Sequence, residues 1–575
     1  MTNRGPPPPI MVDEPVSRFP STSSAPATSS YIPTSTNTPL TTPGASSFAA
    51  AAGGRLLAED DAIPPKRLGE PRNLVLCFDG TGDQFDNDNS NIIQLFSMLK
   101  KDDRQRQMVY YQAGIGTYTV PQIATPFWTT ISKTVDMMIA WNLDAHAMGG
   151  YEFLMENYQA GDKICIFGFS RGAYTARALA GMIHKVGLLP ASNYQQIAFA
   201  YKMYTQADEE GWAQSTAFKK AFSVDVDIEF LGVWDTVCSV GLIPRTLPFT
   251  TSNTAVKYFR HALSLDERRV KFKQNCWNRP TEEEQKLGTR PGDMPKSNGQ
   301  RSSTFTTSSI YSIYEGLPSP FRVSHQSTTS DHNQEKSRFS EDSKESKERH
   351  RRMTANTLER VYSQDYQRET DVLEVWFAGC HCDVGGGSVA NGTPHTLARI
   401  PLRWMIRQCF LCNSGIMFHS TVLRTIGLDP ASLYPHVKER PPLGPESSFL
   451  SAGESLLAAS KNITTEQVQN PFLSEEEEDI LDALSPIYDE LVLAKGWWIL
   501  ELLPMEERYQ DGDEGTEWLT GFVINRGRPR TIRRQKRDGV KVHRTVKLRM
   551  AAAKLLEGGQ YEPRATWHVD PTWVD

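Results

Sequence analysis

The stretch that most constrains the fold is ICIFGFSRGAY, residues 164–174, where an apolar run ends at a glycine and a serine follows between two glycines. Residues 163–167 are short, β-branched and aromatic, which predicts a buried strand. The residues that follow have apolar positions at helical spacing and predict a helix that ends near Gly187. A serine on such a strand-to-helix turn is typical of a G-x-S-x-G nucleophile elbow. Ser170 is therefore predicted to be a nucleophile, the alternative being a serine that only caps the helix.

Two long segments have compositions that do not favour folding. Residues 1–68 are dominated by Pro, Ser, Thr and Ala, and residues 281–366 are polar, Ser-rich and of mixed charge. Such segments bury too little apolar surface to offset the entropy of ordering, so both are predicted to be disordered. The second one interrupts a single catalytic domain, residues 69–280 and 367–430. Residues 431–575 are predicted to form a helical and basic C-terminal region that packs on this domain.

Charge and cysteine content indicate the class of protein rather than its partner. The net charge is only -6 for 575 residues, and the eight cysteines are spread through apolar segments. This spacing fits reduced, buried thiols better than a disulfide framework. The N-terminus has no apolar signal-peptide core, and the chain has no run of about 18 uncharged apolar residues. We expect a cytoplasmic protein that can still contact a membrane peripherally. The sequence does not indicate an oligomeric state.

Four further strands are predicted, and each ends on small or polar residues: 72–83, 108–117, 228–237 and 372–387. Helical stretches separate these strands, which predicts an α/β-hydrolase-like, doubly wound, mostly parallel sheet. The carboxyl ends of parallel strands lie at one edge of a sheet, where such folds carry their sites.

A nucleophilic serine needs a base and an orienting acid, which in hydrolases of this architecture follow in the order Ser, Asp, His. Asp235 ends one predicted strand, and His381 and Asp383 end another. Asp383 lies two residues from His381 and is better placed to shape the Gly-rich loop. The bases that compete with His381 are His261, whose surroundings are predicted to be helical, and His543.

Backbone amides are the expected oxyanion donors. Arg171 follows Ser170 at the start of a predicted helix, where N–H groups lack partners within the helix. A second donor is predicted in the loop after the first strand, from Gly80 or Thr81. The alternative for this DGTGD loop is an ordinary Gly-rich turn.

Six motifs occur in a fixed order: CFDGTGD, GFSRGAYTARALAG, FLGVWDTV, FRHALSLDERRVKF, WFAGCHCDVGGG and GWWILELLP. In this order they resemble the α/β-hydrolase family typified by the type VI secretion phospholipase effectors, formerly a domain of unknown function. The resemblance implies a serine hydrolase that cleaves phospholipid acyl esters. It also implies Ser170 as nucleophile, Asp235 as acid and His381 as base.

The sequence also contains three other candidate sites. An aspartate-rich loop suggests metal-dependent phosphoryl transfer, with Asp79, Asp83, Asp86 and Asp88. This loop lacks the last ligand of a calcium-binding loop. Four cysteines are enough to form a zinc site: Cys380, Cys382, Cys409 and Cys412. Their placement on a strand end and a helix favours thiols that pack in the core. Residues 526–549 hold eleven Lys or Arg and one Asp, which suits an anionic lipid surface. They carry no nucleic-acid motif, so no nucleic-acid partner is expected.

The sequence therefore predicts a hydrolase of carboxylic esters, of lipids in particular, that acts through an acyl-enzyme. Its nucleophile, base and oxyanion donors are all protein groups, so neither a cofactor nor a metal is expected. The alternative is a non-catalytic or metal-dependent protein that binds phosphate or anionic lipid through the basic stretch.

Overall fold

The computed structural model describes residues 61–114, 128–237, 255–277, 370–461, 473–510 and 518–575, apart from positions 68, 207 and 557, together with residues 247, 249, 250 and 253. The chain divides into two units, residues 1–59 and 60–575, and all described residues belong to the second. The predicted disordered segments lie outside the described residues except for residues 61–67.

The described residues form twelve strands, of which eight make one sheet in the order β12-β11-β7-β6-β5-β4-β2-β3. Every neighbouring pair in that sheet is parallel. The strands are β1 Ala62–Ile63, β2 Asn73–Phe78, β3 Gln107–Gln112, β4 Lys163–Phe169, β5 Ile228–Trp234, β6 Val256–Ser264, β7 Asp371–Phe377, β8 Phe418–His419, β9 Pro504–Gln510, β10 Trp518–Ile524, β11 Lys541–His543 and β12 Thr572–Val574. The remaining strands form two antiparallel pairs, β1 with β8 and β9 with β10.

Helices cover both faces of the large sheet. Five precede the long gap in the description: α1 Asn91–Met98, α2 Trp128–Asn157, α3 Ser170–Val186, α4 Tyr194–Thr205 and α5 Glu209–Phe222. Ten follow it: α6 His381–Gly385, α7 Arg399–Leu411, α8 Ser420–Leu423, α9 Pro430–Leu433, α10 Glu446–Lys461, α11 Glu475–Ala483, α12 Glu490–Leu493, α13 Trp498–Glu501, α14 Gln535–Asp538 and α15 Arg544–Ala551. This sheet with its helices confirms the predicted α/β fold class. Among the described residues, no helix has both the length and the apolar character to cross a membrane.

The alternation of side chains along each strand divides the core into two. Ile164 and Ile166 of β4 pack under α2 to α5, whereas Cys165 and Phe167 point to the opposite core, which α1 and α7 cover. Both sets are buried because a parallel strand with helices on each face must be apolar throughout. This explains why the strand before Ser170 is a continuous apolar run.

The order of the strands reverses next to Ser170. From β2 the chain passes to β3 on one side and then to β4 on the other side, so β2 and β4 flank the point where the winding changes direction. In open α/β sheets the connections diverge at such a point, and ligands bind there at the carboxyl edge of the strands. The loop at residues 79–83 follows β2 and Ser170 follows β4, so both lie at this point of the sheet.

Three sequence expectations differ from the structure. The predicted helical surroundings of His261 are wrong, because this residue lies in β6, in the middle of the sheet. The C-terminal region also packs differently, since β11 and β12 extend the sheet instead of only covering it. The predicted disordered segment at residues 1–68 extends too far, because Ala62–Ile63 pair with β8.

The position of β11 in the sheet leads to a stability prediction. A chain stopped at residue 430 lacks β11 and β12, which leaves β7 as an uncovered edge strand and removes part of one core. We expect such a chain to be insoluble or to lack cooperative thermal unfolding, as followed by circular dichroism. The full-length chain is the control and should unfold cooperatively. Cooperative unfolding of the shortened chain would contradict the prediction.

Candidate active site

Ser170 lies at the junction between β4 and α3 with a left-handed backbone, φ 57°. A non-glycine residue pays about 1–2 kcal/mol for this conformation, which persists only where the surroundings enforce it. The serine is buried, with 5% of its surface exposed, and it begins the first turn of the helix. This strand, strained turn and helix match the nucleophile elbow that the sequence predicts.

The two glycines of the elbow permit close backbone packing. A Cβ on Gly168 would lie 2.5 Å from the carbonyl oxygen of Gly172, in the first turn of α3. A Cβ on Gly172 would lie 2.3 Å from the carbonyl oxygen of Asp79 and 2.4 Å from that of Phe78. The first turn of α3 therefore packs directly on the end of β2, which sets the loop at residues 79–83 beside the serine.

His381 reaches the serine from the loop that follows β7. Its Nε2 lies 2.8 Å from Ser170 Oγ, and the residue opens the short helix α6. The imidazole is buried between two aromatic rings, with centroid distances of 4.8 Å to Phe169 and 4.7 Å to Phe272. These rings restrict the imidazole to one orientation.

Asp235 follows β5 and holds the other side of the imidazole. Its Oδ2 lies 2.5 Å from His381 Nδ1, and its Oδ1 accepts a hydrogen bond of 2.9 Å from the backbone N–H of Ser264. The residue is fully buried and, like Ser170, has a left-handed backbone, φ 40°. Serine, imidazole and carboxylate thus form one hydrogen-bonded chain from three different strand ends.

The charge on Asp235 is compensated by Arg530. Burial raises the pKa of Asp235, but the Arg530 guanidinium and the contact with His381 lower it further, so the pKa ends well below its usual value. The carboxylate is therefore ionised and accepts a hydrogen bond from the N–H at His381 Nδ1, which leaves Nε2 able to accept the serine proton. Burial also lowers the pKa of His381, so the imidazole is still neutral at pH values where an exposed histidine would be protonated.

The competing bases lie elsewhere. His261 contacts Glu374 Oε1 at 2.8 Å through Nδ1, and its Nε2 accepts from the backbone N–H of Thr236 at 3.1 Å. His543 caps α15, with Nδ1 2.8 Å from Thr545 Oγ1, and burial lowers its pKa to about 3. Both rings are thus engaged away from Ser170.

Asp383, the alternative acid, shapes the loop around His381. Its Oδ2 accepts hydrogen bonds from the backbone N–H groups of Cys380 at 2.8 Å and Tyr488 at 3.0 Å. Burial raises its pKa to about 7. Within the described residues, Asp235 is the carboxylate that contacts His381 Nδ1.

The predicted oxyanion donors near the elbow differ in whether their N–H groups already donate a hydrogen bond. Arg171 lies in the first turn of α3, where the helix leaves its N–H groups without intrahelical acceptors. The Gly80 N–H already donates to Asp79 Oδ1 at 2.9 Å, which counts against it. Thr81 is the next residue of the same loop and becomes the better candidate for the second donor.

The aspartates of that loop do not converge on one point. Asp79 is buried and accepts hydrogen bonds from Ser90 Oγ at 2.6 Å and Tyr111 Oη at 2.9 Å, so it anchors the loop. Burial and the neighbouring carboxylates raise the pKa of Asp83 to about 8. Among the described residues, these four aspartates do not form a group whose ligand atoms lie close enough to share one metal ion.

Elsewhere, His395, Glu478 and Asp482 present ligand atoms within 4.8 Å of one another. Arg399 lies 2.9 Å from Glu478, and Arg403 lies 2.6 Å from Asp482, so arginines already neutralise both carboxylates. Burial lowers the pKa of His395, but the two carboxylates raise it to about 9, so the imidazolium adds a third positive charge to the cluster. This cluster is an ion-pair network.

Sequence reasoning missed two residues of the site. Arg530 occurs in a run of basic residues, where no local feature separates it from its neighbours. Glu267 accepts a hydrogen bond from the backbone N–H of His381 at 3.3 Å and pairs with Arg269 at 2.8 Å. The FRHALSLDERRVKF motif contains this pair, but its role depends on the position of β7.

Residues 72–408 match the family described as "T6SS, Phospholipase effector Tle1-like, catalytic domain". A Saccharomyces cerevisiae protein described as uncharacterized is 29% identical over 538 residues, which cover 82% of this chain and 78% of that protein.

Two solved structures are also similar to this chain. One is an uncharacterized protein from Pseudomonas aeruginosa, with 15% identity, a TM-score of 0.29, and coverage of 77% of this chain and 65% of that chain. The other is the Tle1 effector bound to the VgrG spike from the Type 6 secretion system, with 18% identity, a TM-score of 0.20, and coverage of 36% and 48%. This chain thus spans less than two thirds of either structure, and such TM-scores carry no information on function.

The elbow packing can be tested by adding one methyl group. In Gly172→Ala the new Cβ meets backbone atoms that cannot move cheaply, so we expect the free energy of unfolding to fall by about 1–3 kcal/mol. Gly521→Ala is the control, because nothing lies within 4 Å of its Cβ position. Urea denaturation measures both variants, and equal midpoints would contradict the packing described.

Proposed function

Because the chain belongs to the family of T6SS phospholipase effector Tle1-like catalytic domains, we propose that it is a serine hydrolase that cleaves carboxylic esters of lipids. Family membership, which the motifs indicate from the sequence, makes hydrolysis of a lipid ester the first function to test. The observation that carries the proposal is the hydrogen-bonded chain from Ser170 Oγ through His381 to Asp235, with contacts of 2.8 and 2.5 Å. Its order along the sequence is Ser, Asp, His, as in α/β-hydrolases.

Acylation uses the three side chains in sequence. His381 Nε2 takes the proton of Ser170 while Oγ attacks the ester carbonyl and forms a tetrahedral intermediate. Asp235 stabilises the resulting imidazolium and keeps its orientation. The C–O bond to the alcohol then breaks, His381 gives its proton to the leaving oxygen, and the acyl group stays on the serine.

Deacylation repeats these steps with water as nucleophile. His381 Nε2 removes a proton from the water as its oxygen attacks the acyl carbonyl. Collapse of the second intermediate breaks the bond to Ser170 Oγ, which regains its proton from the imidazolium. In both halves the developing oxyanion is stabilised by the N–H of Arg171 and by a second donor, for which Thr81 is the better candidate.

An exposed apolar surface near the site supports a lipid substrate. It consists of five large side chains, each more than 60% exposed, on α12, on α13 or directly after it, and on β10: Val492, Leu493, Ile499, Leu502 and Phe522. Exposed apolar surfaces of proteins commonly contact a partner or a membrane. We name these five residues the apolar surface.

Aromatic contacts connect this apolar surface with the imidazole. Trp497 precedes α13 and packs on Phe272 at 5.5 Å between centroids, and Phe272 packs on His381 at 4.7 Å. The buried Glu501 fixes α13 by accepting hydrogen bonds from the backbone N–H groups of Val270 at 2.6 Å and Gly527 at 2.9 Å. An acyl chain drawn from a lipid layer would therefore meet apolar side chains on its way to Ser170.

The basic stretch at residues 526–549 is less available to a membrane than its composition predicts. Three of its arginines are buried and bind other parts of the chain: Arg530, Arg544 and Arg549. Five cations are exposed: Arg526, Arg528, Lys536, Arg537 and Lys547. We propose that any attraction to anionic lipid comes from these five, and that the apolar surface makes the main contact.

Our first functional prediction concerns the nucleophile. Ser170→Ala should lower ester hydrolysis on the order of 10⁴-fold or more and abolish labelling by a fluorophosphonate probe, because an activated serine is removed. The fold should persist, since the change leaves no large cavity. Ser192→Ala is the control, because Ser192 also has a positive φ but is exposed and outside the site. Absence of labelling in the wild type would exclude a serine hydrolase and favour non-catalytic lipid binding.

The apolar surface gives a second prediction. The double variant Leu502→Ser and Phe522→Ser should lose about tenfold or more in hydrolysis of phospholipid vesicles, because each side chain contributes about 1.5–3 kcal/mol when fully buried in lipid. Hydrolysis of a soluble short-chain ester should not change. Phe222→Ser, at another exposed apolar residue, is the matched control. Equal vesicle activity of the double variant and the control would exclude this surface from lipid contact.

A further inference from the structure

We propose that Arg530, from the C-terminal region, is a positioning residue that holds Asp235 and the wall of the imidazole in the geometry needed for reaction. This rests on the proposed function of Ser170, His381 and Asp235. Arg530 lies beyond residues 72–408, which match the family, and its side chain is fully buried.

All five N–H donors of Arg530 are used, and all are directed at the site. Nη1 donates to Asp235 Oδ1 at 2.5 Å and to the carbonyl of Ser264 at 3.1 Å. Nη2 donates to Asp235 Oδ2 at 2.8 Å and to the carbonyl oxygen of Phe272 at 2.5 Å. The same carbonyl oxygen also accepts a hydrogen bond of 3.0 Å from Nε. Arg530 therefore links the acid, the end of β6 and the aromatic ring that packs on His381.

The carboxylate of Asp235 is saturated in return. Oδ1 accepts from the Ser264 N–H and Arg530 Nη1, and Oδ2 accepts from His381 Nδ1 and Arg530 Nη2. A carboxylate offers about four acceptor positions, so none remains for water. Asp235 cannot rotate without breaking two bonds to one rigid guanidinium.

The bidentate contact also reduces the electrostatic stabilisation that Asp235 gives to a protonated imidazole. Arg530 and His381 both bind Oδ2, so the positive charge of Arg530 partly cancels the negative charge that acts on the imidazolium. In the part of the chain that the structure describes, Glu267 and Arg269 also act on the charge of His381; both follow β6 and form a pair with each other. Loss of Arg530 would therefore raise the pKa of His381 and move the acid limb of activity to higher pH.

The segment before Arg530 is itself fixed. Asn525 donates from Nδ2 to the Arg268 carbonyl at 2.7 Å and to Glu501 Oε2 at 2.5 Å, while the Arg526 N–H donates to the Glu501 carbonyl at 2.9 Å. These contacts set the path of the chain toward the site. The C-terminal region thus delivers the guanidinium on an anchored backbone.

The test compares Arg530→Lys, Arg530→Met and Arg530→Ala in the full chain, with a soluble ester as substrate. We expect kcat to fall on the order of 100-fold in the Met variant, with KM within threefold, because misplacement of a catalytic group by about 1 Å costs this much. The acid limb of kcat/KM should move to higher pH. Lys should retain more activity than Met, and added guanidinium ion should restore the Ala variant at least tenfold.

Arg549→Met is the matched control, because Arg549 is also a buried arginine of the C-terminal region but donates to the carbonyls of Ala483 and Ser485. The acid limb of kcat/KM should stay at the wild-type pH in this control variant. Arg530→Met with wild-type kcat and an unmoved acid limb would overturn the proposal. A loss of activity that only follows the unfolded fraction, with no guanidinium rescue, would overturn it too.

A readout without substrate keeps the two proposals separate. The proton on His381 Nδ1 should give a low-field NMR resonance in the wild type, because it lies in a short hydrogen bond to an ionised carboxylate. The resonance should shift or broaden in Arg530→Met and not in Arg549→Met. If it does so while the wild type shows no Ser170-dependent hydrolysis, the proposed function fails and the positioning role stands. An unchanged resonance would overturn the positioning role alone.

Discussion

The buried negative charge of Asp235 is the constraint on which the rest of the site depends. An ionised carboxylate removed from water is costly unless charges and hydrogen bonds compensate it. Here the compensation comes from Arg530, from the Ser264 N–H at the end of β6, and from His381 after β7. Segments far apart in the sequence must therefore meet at one carboxylate, so the site and the sheet order depend on each other.

Local chemistry explains which parts of the site are predictable from the sequence. The elbow is visible because a glycine on each side of Ser170 meets a steric need within a few residues, at the close contacts of Gly168 and Gly172. The placement of Asp235 and His381 at strand ends is also local, since each follows an apolar run. The choice among the histidines is not local, because it depends on which strands are neighbours.

β6 shows why the rest was not predictable. Its sequence VKYFRHALS contains Arg260 and His261 in the middle of the sheet, which conflicts with the apolar pattern of a buried parallel strand. Both side chains are satisfied by distant partners, Arg260 by Gln408 at 2.8 Å and His261 by Glu374 at 2.8 Å. The role of Arg530 could not be predicted for the same reason. A run of basic residues has the same composition whether its arginines lie in water or inside the protein.

The sheet also explains how the site can be built from both sides of residues 278–369, which separate the described parts of the chain. β6 and β7 pair in parallel with a fixed register from Tyr258 with Asp371 to Ser264 with Phe377. Ser264 and Glu267 lie just after one strand and His381 just after the other, so their relative positions follow from this register. Substitutions at these two strand ends are therefore expected to change the geometry at Asp235 directly, because Ser264, Glu267 and His381 all depend on the pairing of β6 with β7.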